Sequence, residues 1–340
     1  MLKAIGVGIV GWGSIAAVHA EVLDGRDDAQ LRSMCRREPE RPAVLRDDVA
    51  VVVGMDAMLA DADLDVVVIC SPTGHHAEHA IAALEAGKHV VIEKPIARHP
   101  ADAHRVLAAA ARSGRALSVI SQRRFEPAVR VVRDLITTGM LGRPILIEGA
   151  LRWSRSAAYY ATADWRGTIE DDGGVLLNQG IHVIDLMRWL GGPVIEVQGA
   201  TATLVHDIEA EDTAAATLRF ASGALGLIAA TTATDIGVPG ELTLVHERGS
   251  VTLTEGGIKR WLVPGVPQPS TGPGEASGAA DPGAIGNLGH IRQWEDILGA
   301  IAAGRPPAVG GADGLAALEL VDAVYRSSRT GQAVALRSGA

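Results

Sequence analysis

The start of the chain constrains the fold more than any other stretch, because an apolar β-type run is followed there by a glycine-rich turn and a helical pattern. The run Lys3 to Val10 is typical of a buried strand, and the helical pattern continues through Leu23. Between them, Gly11-x-Gly13-x-x-Ala16 matches a dinucleotide-binding fingerprint in the strand–turn–helix context that the fingerprint requires. The sequence therefore predicts a nucleotide-binding α/β domain in this part of the chain.

A second glycine register competes with this one. Gly6-Val7-Gly8-Ile9-Val10-Gly11 also fits G-x-G-x-x-G, but it would leave few residues for the preceding strand and would put Ile9 and Val10 in a tight turn. In the preferred register, Gly11 makes the turn, Gly13 lets the backbone approach a pyrophosphate and Ala16 packs the helix on the sheet. The pyrophosphate would lie at the helix N-terminus, which adds Ser14 and Ile15 to the predicted cofactor-binding residues.

The end of the second predicted strand bears on which dinucleotide binds. NAD-binding chains usually carry an acidic residue there, which accepts hydrogen bonds from the ribose hydroxyls. This chain has Arg36 and Arg37, with Arg32 close by, and two guanidinium groups suit a 2′-phosphate but not a bare diol. NADP(H) is therefore the favoured cofactor. NAD(H) is possible if these arginines form only a solvated surface turn.

Polar residues follow two further predicted strands of this domain. Ser71-Pro72-Thr73 comes directly after the apolar run Asp65 to Cys70, with His76 near the start of the next helix, and Glu93-Lys94-Pro95 follows the run His89 to Ile92. Ligands bind just beyond the carboxyl ends of strands in an open α/β sheet. We therefore expect the first turn to face the cofactor and Lys94 to meet a substrate. In isolation, the tripeptide is common on surfaces, and a histidine at a helix start is often a cap or a packed side chain.

The pattern changes from Pro144 onward, where successive strands are joined by short turns such as Ala221-Ser222-Gly223 and Arg248-Gly249. This predicts a largely antiparallel sheet, whereas strands and helices alternate through residue 121, as in a parallel sheet. The predicted fold class is α/β, with a Rossmann-type doubly wound parallel sheet followed by an α+β domain with a large, mostly antiparallel open sheet. Residues 1–122 are expected to bind NAD(P), and residues 123–340 to bind substrate. A Pro- and Gly-rich stretch, 263–286, predicts a long mobile loop, and helices are predicted at 287–303 and 313–329.

A second stretch with chemical potential lies in the later domain. Asn178, His182 and Asp185 recur at spacings of four and three residues, which puts them on one face of a helix. Polar groups on an otherwise apolar helix need partners or a cavity. One interpretation is a buried His182–Asp185 hydrogen bond of structural use. The other is a histidine general acid or base that neighbouring side chains orient.

Composition and charge argue against two classes of partner. A net charge of −9 argues against nucleic-acid binding, which normally needs a basic surface. No run of 18 apolar residues occurs, and the chain begins with a strand pattern rather than a signal-peptide pattern. We therefore expect a cytoplasmic protein that does not associate with membranes. No group of residues predicts a metal site.

Three motifs in this order resemble one known family. Gly11-x-Gly13-x-x-Ala16, Glu93-Lys94-Pro95 and Asn178-x-Gly180-x-His182-x-x-Asp185 are similar to those of the glucose-fructose oxidoreductase / inositol dehydrogenase / rhizopine-catabolism (Gfo/Idh/MocA) family of NAD(P)-dependent oxidoreductases. The resemblance extends from residue 3 to about residue 336. It implies hydride transfer between nicotinamide and a carbinol or carbonyl carbon of a sugar, a cyclitol or a sugar derivative. It also implies a homodimer or homotetramer that assembles through the C-terminal sheet.

The resemblance also implies roles for individual residues. Lys94 would hydrogen-bond the reacting hydroxyl and His182 would accept or donate its proton, which agrees with the need for a base whose pKa lies near working pH. The implied cofactor contacts are Ser71, Pro72, Thr73, His76, Glu93, Lys94 and Gln122, together with Trp165 and Arg166 on the substrate or nicotinamide side. The implied substrate contacts are Arg123, Arg124, Tyr159, Asn178 and Asp185.

Two departures from the family pattern affect these expectations. Many relatives carry Asp where this chain has Asn178, so that residue can position a base but cannot act as a carboxylate. Relatives often have three glycines where Asp172 precedes Gly173 and Gly174. Two other functions are compatible with the resemblance: an NAD-dependent glycosidase and a non-catalytic regulator that senses dinucleotide. The presence of both Lys94 and His182 argues against the regulator, which needs no proton-transfer pair.

Overall fold

A computed structural model of the chain describes residues 3–271, 277–281, 283–284 and 286–336. The chain packs as two units, one of residues 1–120 and 290–315 and the other of residues 121–289 and 316–340. This differs from the expected single division after residue 122. The reason is that Trp294, Ile297 and Leu298, from a late helix, are buried in the same hydrophobic core as the first strand.

Six parallel strands form the sheet of the first unit. They are β1 (Ile5–Val10), β2 (Ala29–Arg36), β3 (Ala50–Val53), β4 (Val66–Ile69), β5 (His89–Ile92) and β6 (Leu117–Val119), in the order β3-β2-β1-β4-β5-β6. All four residues of β4 are buried, as expected for a parallel strand that is covered on both faces. The strand order reverses between β1 and β4, and ligands bind in open α/β sheets at the carboxyl ends beside such a reversal.

Helices connect the strands of the first unit. They are α1 (Ser14–Asp24), α2 (Met55–Leu59), α3 (His76–Glu85) and α4 (Pro100–Ser113). Helix α4 begins with a proline and ends at Gly114, whose φ of +65° is the left-handed conformation that favours glycine after a helix. The predicted strand–helix alternation through residue 121 is confirmed.

The second unit contains an eight-stranded sheet. The chain passes through α5 (Pro127–Thr137), β7 (Pro144–Ser154), α6 (Ala157–Tyr160), a π-helical turn (Leu176–Gly180), α7 (Ile181–Gly191), β8 (Val194–Ala202), β9 (Thr213–Phe220), β10 (Leu225–Thr231), β11 (Ala233–His246), β12 (Gly249–Thr254), β13 (Gly257–Leu262) and, near the end of the chain, β14 (Val334–Ala335). The strand order is β13-β12-β11-β7-β10-β9-β8-β14, and every pairing is antiparallel except that of β7 with β10. The predicted fold class is thereby confirmed.

Burial alternates along the strands of this sheet. Ile147 and Leu151 of β7 are buried on one face, where α7 packs, whereas Leu225 and Leu227 of β10 are exposed on the other. This period-two pattern is what a sheet with one covered face produces.

Two helices follow near the C-terminal end of the described residues, α8 (Leu288–Ala303) and α9 (Gly311–Thr330). The predicted bounds, 287–303 and 313–329, are confirmed to within two residues. Of the predicted long loop, residues 272–276, 282 and 285 lie outside the described residues. None of the helices in the described part of the chain has the length and apolar character that crossing a bilayer requires.

Candidate active site

The turn after β1 requires glycine at its first position. Gly11 has a φ of +87°, and a Cβ atom there would lie 2.8 Å from the backbone oxygen of Cys70 and from the backbone nitrogen of Ser71. The Gly11 N–H donates to the Cys35 carbonyl at 2.9 Å. Gly6 and Gly8 lie inside β1, so the competing register is not adopted. This turn brings the ends of β1, β2 and β4 together.

The start of α1 fits an anionic ligand. A Cβ atom on Gly13 would meet no heavy atom within 4 Å, so the space beside its backbone is open. No side chain caps the helix, and no acidic residue lies in its first turn. The N–H groups at Ser14 and Ile15 have no intrahelical acceptor, while Ala16 is buried against the sheet as predicted. These features fit the pyrophosphate of a dinucleotide.

His76 lies between two carbonyl oxygens beyond β4 and β5. Its Nδ1 is 2.7 Å from the Pro95 oxygen, and its Nε2 is 2.8 Å from the Ser71 oxygen. Only a protonated ring could donate to both, but burial lowers the pKa of His76, so a neutral ring donates to one carbonyl at a time. The His76 side chain is thus packed between two turns, and its predicted contact with the cofactor stays a prediction. The ring joins the turn that contains Ser71, Pro72 and Thr73 to the turn after Lys94.

A buried polar chain holds the Glu93-Lys94 turn at the end of β5. Trp294 Nε1–H donates to His19 Nδ1 at 2.9 Å, so the ring proton of neutral His19 must be on Nε2, which donates to Glu93 Oε1 at 3.0 Å. The backbone N–H of Lys94 donates to Glu93 Oε2 at 3.1 Å. His19, Glu93 and Trp294 are all buried. This chain fixes the backbone from which the Lys94 side chain extends.

The charge of Glu93 follows from these neighbours. Burial alone would raise the pKa of its carboxyl group, but the hydrogen bond from His19, with electrostatic effects that include Lys94, lowers this pKa to about 2. Glu93 is therefore ionised at neutral pH inside the first unit. Both of its oxygens accept hydrogen bonds from the protein, and its predicted contact with the cofactor stays a prediction.

Arg36 and Arg37 lie directly at the carboxyl end of β2. Arg36 Nη1 donates to the Glu40 carbonyl at 2.8 Å, and Arg37 Nη2 is 3.4 Å from His75 Nε2. Neither guanidinium forms an ion pair within the described part of the chain. Arg32, by contrast, is paired with Asp61 at 2.9 Å. Among the described residues, Arg36 and Arg37 thus have no carboxylate partner, whereas Arg32 has one.

In the second unit, Asn178 lies in the π-helical turn and His182 in the first turn of α7. The predicted continuous helical face is therefore interrupted, and π-turns often occur at functional sites. The Asn178 amide donates to Asp172 Oδ1, and the Gly167 N–H donates to Asp172 Oδ2 at 2.7 Å. A carboxylate does reach this site, but it comes from Asp172 rather than from residue 178.

The start of the π-helical turn is held by Glu211. Its Oε1 accepts from the Leu176 N–H at 3.0 Å and from the Tyr325 hydroxyl at 2.9 Å. A Cβ atom on Gly174 would lie 1.9 Å from Glu211 Oε2. Gly174 is therefore required by the close approach of this carboxylate.

Two predicted substrate residues bind each other. Arg124 donates to Asp185 Oδ2 at 2.8 Å and to Oδ1 at 2.5 Å, and both residues are buried. Arg123 is paired in the same manner with Glu126 at 3.0 Å and Glu255 at 3.3 Å. These bonds explain why the arginines are stable in the interior. A substrate contact of Arg123, Arg124 or Asp185 stays a prediction.

The loop after α6 contains the remaining predicted residues. Arg166 Nη1 donates to the Tyr159 hydroxyl at 2.6 Å, and its guanidinium lies 4.6 Å from the Trp165 ring centroid. Gln122 is separate from this loop, and its buried Oε1 has no hydrogen-bond partner among the described residues. An unsatisfied buried acceptor fits the predicted contact with a cofactor amide or hydroxyl donor.

Sequence reasoning missed four residues of this arrangement: His19, Trp294, Asp172 and Glu211. Asp172 carried a signal, since it interrupts a glycine run that relatives share. His19 and Trp294 carried none, because they are 275 residues apart in sequence.

Comparison with known proteins identifies the family. Residues 5–121 match the model of an oxidoreductase family described as an NAD-binding Rossmann fold, and residues 129–256 match the GFO/IDH/MocA C-terminal domain. The chain belongs to the Gfo/Idh/MocA oxidoreductase family. The resemblance seen in the sequence is thereby confirmed. Its first unit is a nicotinamide-dinucleotide-binding domain, as the turn after β1 indicated.

Individual proteins resemble between about two thirds and nearly all of the chain. The crystal structure of the WlbA dehydrogenase from Bordetella pertussis, in complex with NADH and UDP-GlcNAcA, has a TM-score of 0.89 and 32% identity, and covers 99% of each chain. Myo-inositol 2-dehydrogenase of Thermotoga maritima is 30% identical over 230 residues, 65% of this chain and 67% of that protein. Inositol 2-dehydrogenase of Rhizobium meliloti is 29% identical over 331 residues, 94% of this chain and 96% of that protein.

Proposed function

We propose that this protein is an NAD(P)-dependent dehydrogenase or reductase that acts on a CH–OH group of a sugar, a cyclitol or a sugar derivative. Family membership supports the oxidoreductase class, and relatives named inositol 2-dehydrogenase support the substrate class. The observation that carries the proposal is the buried Trp294–His19–Glu93 chain. It holds the backbone of Lys94 at the carboxyl end of β5, at the sheet edge where the dinucleotide-binding turn lies.

The proposed chemistry divides between cofactor and protein. The nicotinamide, when bound, supplies or accepts the hydride. The Lys94 ammonium hydrogen-bonds the reacting hydroxyl and stabilises the alkoxide that develops as hydride leaves. His182 takes the hydroxyl proton, or returns it in the reductive direction. Asn178 positions this machinery, and Asp172 in turn orients the Asn178 amide.

Residues of the dinucleotide site follow from the geometry of the first unit. Gly11, Gly13, Ser14 and Ile15 would hold the pyrophosphate, because the helix N-terminus is uncapped and the space beside Gly13 is open. For the adenosine end we propose a preference for NADP(H). Arg36 and Arg37 support it, because neither pairs with a carboxylate within the described residues. NAD(H) remains the alternative, since the B. pertussis relative was crystallised with NADH.

We further propose that copies of the chain assemble through the open face of the eight-stranded sheet. Leu225 and Leu227 of β10 are 52% and 43% exposed on this face. Contiguous apolar residues on a sheet face favour association with a second copy. A cytoplasmic location stays a prediction from the sequence.

The test replaces the two proposed proton-handling residues. Lys94→Ala and His182→Ala should each abolish oxidation of myo-inositol and of a panel of sugars, followed as nicotinamide absorbance, while cofactor binding followed by nicotinamide fluorescence stays measurable. Lys259→Ala and His104→Ala are the matched controls, because both side chains are exposed.

The possible outcomes separate the alternatives. Retained turnover in either variant would remove that residue from the mechanism. Release of an aglycone with no net change in nicotinamide absorbance would favour the glycosidase. Tight dinucleotide binding without turnover of any substrate would favour the regulator.

A further inference from the structure

The second unit contains a cavity of about 850 Å³. This volume lies within the range of about 300–1,000 Å³ that is usual for small-molecule sites. Its walls come from the end of β7, from α6, from the turn around Gly167, and from residues 205–209 and 233–235.

One wall of the cavity contains a buried guanidinium. Arg155 is only 6% exposed. Its Nη1 donates to the Ser154 carbonyl at 2.7 Å and to the Ala279 carbonyl at 3.3 Å, and its Nη2 donates to the Gly278 carbonyl at 2.8 Å. Nε has no hydrogen-bond partner among the described residues, and no described carboxylate forms an ion pair with Arg155. Buried charges are normally paired, and among the described residues Arg155 has no carboxylate partner.

A second guanidinium lines the same cavity. Arg166 donates to the Thr162 hydroxyl at 2.7 Å as well as to Tyr159, and no described carboxylate pairs with it either. The Tyr159 ring centroid lies 4.3 Å from the Arg166 guanidinium and 5.2 Å from that of Arg155. The ring contacts both cations, of which Arg155 is buried and Arg166 half-buried, but it carries no net negative charge. Burial lowers the pKa of Arg155, as expected for a cation without a counterion.

Carboxylates also line the cavity, but they lie at its exposed rim. Asp207, Glu209 and Asp235 are all exposed. Water and salt screen exposed charges, while a buried charge is screened much less. Arg155 and Arg166 therefore favour an anion in the interior despite the acidic rim and despite buried Asp172, whose carboxylate accepts from the Gly167 N–H in the cavity wall.

An aromatic pair forms another part of the lining. The Tyr160 and His206 ring centroids are 4.9 Å apart, and the Tyr160 hydroxyl is 3.0 Å from the Thr232 hydroxyl. Burial raises the pKa of Tyr160 to about 12, so this hydroxyl is protonated at neutral pH. The pair can pack against a ligand ring without repelling an anion.

The cavity is connected to the helix proposed to act in catalysis. Gly167 lines the cavity, and its N–H donates to Asp172, whose other oxygen accepts from Asn178, four residues before His182. A ligand in the cavity and a reacting group near α7 are thus linked through one carboxylate within the second unit.

We propose that this cavity binds a negatively charged oxygen group, a carboxylate or a phosphate, that the substrate of the proposed dehydrogenase carries. That the anion belongs to a substrate rests on the proposed function, whereas anion binding by the cavity does not. Arg155 and Arg166 supply the positive charge, and the Arg155 Nε–H supplies a donor that no described residue accepts.

The experiment measures binding by calorimetry to the full-length protein with NADH present. The probes are D-glucose, which is neutral, D-glucuronate and D-glucose 1-phosphate. We expect at least one anionic probe to bind about 10- to 100-fold more tightly than glucose, as one or two charge-assisted hydrogen bonds provide. Arg155→Gln and Arg166→Gln should each weaken binding of the preferred anionic probe by a larger factor than binding of glucose. Arg152→Gln is the control, because Arg152 is an exposed arginine of β7, three residues before Arg155 and outside the cavity lining.

Each outcome decides the inference. Preference for glucuronate identifies a carboxylate, and preference for glucose 1-phosphate identifies a phosphate. Equal binding of all three probes by the unmodified protein would overturn the inference, as would equal losses for glucose and the anion in the variants.

If Arg155→Gln does not fold, as judged by circular dichroism, the test depends on Arg166→Gln and on the salt dependence of anion binding. Absence of turnover with every sugar would overturn the proposed function but not anion binding, whereas turnover without anion preference would overturn only this inference.

Discussion

Replacing Glu93 by glutamine should destabilise the protein strongly at pH 7 and less at acid pH. The Glu93 pKa is about 2 in the folded chain, against an ordinary value of 4.5. Folding therefore favours the ionised form of Glu93. The contribution of this carboxylate to the free energy of unfolding is fully present above about pH 4.5 and is lost as pH falls through about 2. The difference of pKa values corresponds to about 3 kcal/mol at pH 7. In the glutamine variant this contribution is absent, and one amide N–H group would face either His19 Nε2–H or the Lys94 N–H.

The assay is urea unfolding of both proteins at several pH values, followed by tryptophan fluorescence. The free-energy difference between wild type and Glu93→Gln should be about 3 kcal/mol at pH 7 and should shrink by about 1 kcal/mol at pH 3.5, because part of Glu93 is protonated more easily in the unfolded chain. Taking the difference between the two proteins cancels the pH-dependent contributions of the other carboxyl groups, because both proteins contain them. Glu85→Gln, at an exposed position of α3, is the matched control and should give a small difference. An equal difference at pH 7 and pH 3.5 would refute the argument that the fold holds Glu93 ionised.

Two further predictions concern the cofactor and the assembly. Arg36→Ala should weaken NADPH binding by about 1.5–3 kcal/mol, as loss of one hydrogen bond to a charged group predicts, and should weaken NADH binding far less. The measurement is a fluorescence titration with Arg32→Ala as the control. Equal losses of affinity for both dinucleotides would contradict the 2′-phosphate argument. Leu227→Glu should reduce the molar mass measured by light scattering, because it places a charge on the exposed sheet face, whereas Val44→Glu, which is 74% exposed in the first unit, should not. An unchanged mass would exclude this face as the interface.

Local pattern was sufficient for most of the fold. The alternation of apolar runs and helical periods predicted the parallel sheet, and short turns between later strands predicted the antiparallel one. Both signals arise from residues that are close in sequence, so no tertiary contact is needed to read them. The position of residues 290–315 was not predictable in this way, because the helix pattern of α8 does not reveal which core buries Trp294.

The candidate site likewise contains residues that the sequence indicated and residues that only the structure revealed. Motif spacing singled out Lys94, Asn178 and His182, but it did not indicate the side chains that hold them. Nothing in the sequence distinguishes His19 from the other residues of α1, and only the hydrogen bond from Trp294 to its Nδ1 shows its place in the site. Asp172 was visible as an oddity in a glycine-rich stretch, yet its hydrogen bond to Asn178 follows only from the path of the loop.

By itself, the sequence determined the dinucleotide-binding turn at Gly11 and Gly13 and the family to which the chain belongs. Each rests on residue type at fixed spacing, where backbone geometry leaves few alternatives. Tertiary structure alone decided that His19 donates from Nε2, that Glu93 is ionised and that Arg155 is buried without a carboxylate among the described residues. The physical reason is that charge and proton position depend on burial and on neighbours in space, which spacing along the chain does not encode.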